Sequence, residues 1–132
     1  MKIFLFTSFG LVAIAYAWTV LMGVITRRVR GMWVNVHQWS AKITFWMLLL
    51  YVVTIEVCAD IERALGVPVR HDTFFFIHLA LAVSTATAMA LMIWAGFDGL
   101  KWQKHHAKLA YTSCFTFLGM AITGCWMIWT RF

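Results

Sequence analysis

Residues 74–95 read FFFIHLALAVSTATAMALMIWA, an apolar run without a single Asp, Glu, Lys or Arg. Its length matches the roughly 20 residues that carry a helix across the hydrocarbon core of a bilayer. A spanning segment must satisfy its own backbone, which favours a helix. Outward from this run, three more apolar stretches occupy 3–25, 43–58 and 107–129. The second is the shortest, but it extends back through 34–41 with tolerable polarity. Helices are therefore expected at about 3–25, 36–58, 74–95 and 106–129. The connectors 26–36, 59–73 and 96–106 are too short for a soluble domain. The expected fold is all-α, a single four-transmembrane-helix bundle over residues 1–132, and no internal repeat is visible.

Composition agrees. The chain is 63% hydrophobic and 12% charged, against roughly 25% charged in soluble domains. One Pro and eight Gly leave little material for turns, and eight Trp suit a membrane protein. The net charge of +6 does not point to nucleic acid, because the basic residues flank the apolar runs. Lys2, the first apolar run and Ala15-Tyr16-Ala17 imitate a secretory signal. The run continues to Ile25, so it is read as a retained first helix.

Lys and Arg asymmetry sets an expected orientation. Arg27, Arg28, Arg30 and Lys42 surround the first connector, and Lys101, Lys104 and Lys108 surround the third. The second has Arg63 and Arg70 beside Asp60, Glu62 and Asp72. The positive-inside rule then puts connectors one and three in the cytoplasm and both termini on the outer, periplasmic side. The expected location is the bacterial inner membrane.

Packing faces can also be sketched. Ala82, Ala86 and Ala90 in the third helix stand four apart, the spacing of a close-packing face. The fourth helix carries a stripe of His106, Ala110, Ser113 or Cys114, Phe117, Ala121 and Gly124. That stripe favours His106 over His105 as the inward imidazole. The methionines are read as packing residues.

Ionisable side chains inside spans usually serve function. His37 opens the second helix and His105 and His106 open the fourth, at similar depth. Imidazoles from two helices are a standard way to hold a b-type haem; the alternative is a set of interfacial polar residues meeting headgroups and water. Glu56 lies 19 residues after His37, near 28 Å along a helix at about 1.5 Å per residue. It should therefore share the opposite end with His78 and with Asp60, His71 and Asp72 of the connector. His78, Glu56 and His71 could hold a transition metal such as copper or iron. They could also form a proton-accepting pair beside a quinone or a channel, or Glu56 and His78 could be a structural hydrogen bond. Cys58, Cys114 and Cys125 form no CxxCH motif, so covalent haem attachment is not expected. Cys58 and Cys125 fall at one end of the bundle, where a disulfide is conceivable. No Walker motif, GxGxxG, nucleophile elbow or HExxH occurs.

The stretch His106-Ala107-Lys108-Leu109-Ala110, closing in Thr123-Gly124, resembles the last helix of a family of small bacterial four-helix membrane proteins. Some of its members are implicated in maturation of haem–copper oxidases. In that family the last helix opens with His-x-x-Ile-Ala and ends in Thr-Gly. His78-Leu79-Ala80-Leu81-Ala82 is similar to its third helix, and His37 with Lys42 to the start of its second. The resemblance covers about 35–128 and implies His106 as the family histidine. Glu56 stands where the family tends to have His, and the family's Pro and Trp near 115–117 are missing. The chain is more loosely similar to membrane cytochromes b, although its first helix has no His.

These readings lead to one functional expectation: a haem- or metal-binding membrane subunit in respiratory or other redox electron transfer. His37, His106 and His105 are the cofactor candidates, with haem b as the cofactor. The other expectations are a cofactor-free accessory subunit of a larger membrane complex and an oxidase assembly factor. An electron-transfer or accessory subunit is expected rather than a stand-alone enzyme. The partners are then the lipid bilayer and other membrane subunits.

Overall fold

The computed structural model describes residues 2–29, 32–66, 73–97 and 103–131. They form four helices: α1 (Lys2–Arg28), α2 (Met32–Ala64), α3 (Thr73–Phe97) and α4 (Gln103–Arg131). Each is long and apolar enough to cross a membrane. All four extend past the expected limits, α2 most of all, because the polar residues at the ends of the apolar runs are still helix formers. At 33 residues, α2 is about 50 Å long at about 1.5 Å per residue. Its last turns carry the exposed ion pair Arg63–Asp60. Gly66 ends it in a left-handed conformation (φ 77°), which spares a side chain the Cβ clash.

The bundle is built as two hairpins. α1 packs closely on α2, and α3 still more extensively on α4. The seams α2–α3 and α1–α4 are looser, and α2 and α4 face each other across a diagonal. In the half nearer the chain termini, Phe9, Val12, Leu48, Tyr51, Phe117 and Met120 fill a solid core. Leu5, Cys58 and Ile128 close its end. Tyr16 stacks on Phe117 with centroids 4.0 Å apart and planes 2° from parallel. Phe9 stands 6.4 Å from Phe117 and 5.7 Å from Tyr51, continuing a column of four aromatic rings.

Polar side chains hold the seams. The Thr19 and Thr44 hydroxyls bond across α1–α2 at 2.8 Å. Tyr16 and Ser113 bond across α1–α4 at 2.8 Å. Thr85 donates to Thr116 across α3–α4 at 2.9 Å. Thr19, Thr44, Thr85 and Ser113 are all buried, and none of the buried polar side-chain atoms among the described residues lacks a partner. The outside is apolar instead. All seven tryptophans among the described residues are exposed.

The α4 stripe faces inward as expected: Ser113, Phe117 and Gly124 are buried, with Met120 and Ile128 completing it. The α3 face is rotated from the expected one. Thr85, Ala88, Met89 and Ala95 are buried, Ala82 and Ala86 flank them, and Ala90 is exposed. Small residues cover most of the α3 circumference, so a spacing of four did not single out one face. The cysteines are free thiols.

Candidate functional site

The half of the bundle toward connectors one and three is hollow. A cavity of about 540 Å³ lies there, reached by side chains of all four helices. That volume falls within the roughly 300–1,000 Å³ of small-molecule sites. His37 and His106 both line it.

His37 stands one turn into α2, where the antiparallel hairpin brings it opposite the C-terminal part of α1. Its Nδ1 lies 3.2 Å from the Thr19 carbonyl oxygen. A carbonyl only accepts, so Nδ1 carries the proton and donates. In the neutral ring Nε2 is then left with its lone pair. Metal-bound histidines are typically oriented in this way, through the second ring nitrogen. Gly23 makes room for the ring: a Cβ there would come within 3.0 Å of the His37 Cε1.

His106 approaches from α4, across the diagonal. The two imidazole centroids are 6.2 Å apart, with planes at 82°. Two imidazoles bound on opposite sides of one metal, at about 2.0–2.1 Å per metal–nitrogen bond, place their centroids about 6 Å apart. The observed separation is compatible in length with a shared metal, and it also lies in the range of an edge-to-face ring pair. His106 is half-buried, whereas His105 is exposed.

Sequence reasoning missed part of this cavity. Met89 and Met92, three residues apart on one α3 face, line it together with Tyr16 and Cys114. Their shared spacing was the available signal. Gly23 was also missed; its signal was a glycine one turn before a connector, facing a helix that opens with His.

The other end is arranged differently. His78 turns toward α4. The Thr123 hydroxyl donates to the Gly119 carbonyl at 2.8 Å, so the His78 Nδ1 donates to Thr123 Oγ1 at 2.9 Å. The ring rests on Gly124, where a Cβ would lie 3.0 Å from its Cε1. Glu56 is exposed on α2. His71 and Asp72 lie outside the described residues. Among the described residues, no group of three or more His, Cys, Asp or Glu side chains is placed to hold a metal ion.

Comparison of the chain with protein-family models, with curated proteins and with solved structures returns no match.

Proposed function

We propose that this chain is a multi-pass protein of the bacterial inner membrane that binds haem b between His37 and His106 and takes part in respiratory or other redox electron transfer. One observation carries the reading: two imidazoles from diagonal helices, 6.2 Å apart, meet at a cavity of about 540 Å³. His37 and His106 would hold the haem iron. Haem held there supplies one-electron redox chemistry. The Thr19 carbonyl fixes the His37 ring, Gly23 seats it, and apolar walls such as Val20, Val24 and Ile93 keep water from the site. The aromatic column from Tyr16 to Tyr51 continues from this cavity toward the other end. The outward tryptophans and apolar exterior suit contact with lipid. The Lys and Arg asymmetry puts the haem end on the cytoplasmic side.

A second reading draws on the methionines. Met89, Met92 and Cys114 share the cavity with both histidines, and soft sulfur ligands with imidazole suit copper. An absorption spectrum and elemental analysis of the purified protein separate the two. Haem gives a Soret band with iron, and the copper reading gives copper without one. Absence of a Soret band, iron and copper together leaves a cofactor-free accessory subunit. Weak cofactor binding, with no fixed place in a mature complex, leaves an assembly factor.

A further inference from the structure

We infer that haem enters and leaves this cavity sideways, from the hydrocarbon core of the bilayer, through an opening between α1 and α4. The inference rests on the haem reading and adds the source of the ligand. Its basis is a set of side chains that belong to two surfaces at once. Val20 and Val24 of α1 and Tyr111 of α4 line the cavity, yet they are 39%, 51% and 71% exposed. A side chain that bounds a cavity and also reaches the outside stands on its rim.

The rim follows one seam. Tyr16 lines the cavity and bonds Ser113 across α1–α4 at 2.8 Å, which marks the inner end of the opening. Val20 and Val24 stand four and eight residues after Tyr16, on the same face of α1 and nearer the connectors. On α4, Ala110 and Ala107 precede Ser113 by three and six residues. Both line the cavity, and their small side chains offer little bulk to fill the seam. Thr19 and Gly23 turn instead toward α2, where they meet Thr44 and His37. Of the four seams, α1–α4 is the sparsest.

Depth decides what lies outside the rim. These residues fall within the apolar runs 3–25 and 107–129. Val20 lies seven residues before Arg27, about 10 Å deeper at about 1.5 Å per residue. In a chain that spans the bilayer, the opening meets acyl chains. The margin toward the connectors includes the exposed Arg27 and Gln38. A largely apolar ring arriving from lipid keeps its surface out of water throughout, and a ring passing Arg27 and Gln38 does not.

The test uses the full-length chain in lipid vesicles, carrying Cys58→Ala, Cys114→Ala and Cys125→Ala with one of Val24→Cys, Tyr111→Cys or Gln38→Cys. Each variant is alkylated with a bulky pyrene maleimide, either before or after haem is added. Soret absorbance follows uptake, and transfer to an excess of a soluble haem-scavenging protein follows release. A wild-type Soret band from each unlabelled variant shows that it folds; Val20→Cys is a further rim position and should behave as the other two do. Labels at Val24→Cys and Tyr111→Cys should slow both uptake and release roughly tenfold or more, as a closed gate does. The label at Gln38→Cys should change neither rate. Equal effects at all positions, slowing at Gln38→Cys alone, or slower uptake with faster release each overturn the inference and leave the haem reading intact. Absence of a Soret band from the wild-type chain defeats the haem reading, and the route with it.

Discussion

The ring of His37 is fixed from two sides, by the carbonyl of Thr19 and by the bare Cα of Gly23. On the proposed haem reading, His37→Ala and His106→Ala should each abolish the Soret band, whereas His105→Ala and His78→Ala should keep it; absorption spectra of the four variants decide this. Gly23→Ala is a subtler probe. Its methyl group meets the His37 ring at 3.0 Å, and overpacking costs about 1–3 kcal/mol. Helix propensity returns up to about 1 kcal/mol. Haem affinity should fall by roughly fivefold or more, read by titration, with little change in helix content. Gly124→Ala presses equally on His78 and should leave haem affinity alone. At this scale the sequence was partly legible. The α4 stripe separated His106 from His105 because one face of a helix repeats every three to four residues. Glu56 was not legible as exposed, because α2 is apolar on most sides and its pattern does not mark the inward face.

Among the elements, the hydroxyl pairs decide how helices meet. The Thr44 hydroxyl reaches both Thr19 and the Ala15 carbonyl, tying α2 to α1. Thr44→Val keeps the shape and removes these bonds. The expected loss is about 0.6–1.7 kcal/mol, the range measured for interhelical hydrogen bonds in membrane proteins, detectable by reversible unfolding in mixed micelles. Tyr16→Phe deletes the bond to Ser113 and so weakens the looser α1–α4 seam. A loss of about 0.6 kcal/mol is expected in the same assay. The helices themselves could be read directly from four apolar runs. Their partners could not: hydrophobicity does not drive association in lipid, and a Thr hydroxyl in the sequence does not reveal which helix it will meet.

For the whole molecule, the charge pattern makes a claim that experiment can address. In a cysteine-free background, Val69→Cys should react with a membrane-impermeant maleimide added from outside, and Arg30→Cys should not; the reverse labelling would invert the proposed orientation. The all-helical, four-element plan was legible because length and apolarity set it. The hollow at one end was not, since it depends on large rings filling one half of the bundle and mostly small or aliphatic residues lining the other.

The division into two hairpins has a consequence for assembly. Each hairpin is fastened internally, by Thr19–Thr44 in one and by Thr85–Thr116 and His78–Thr123 in the other. The two hairpins are thus like the covers of a book, joined along weaker seams. On the proposed haem reading, a group gripped by one histidine from each hairpin acts as the clasp between them. Melting temperature should then rise with haem concentration, by mass action on the closed form, and His37→Ala should remove that dependence.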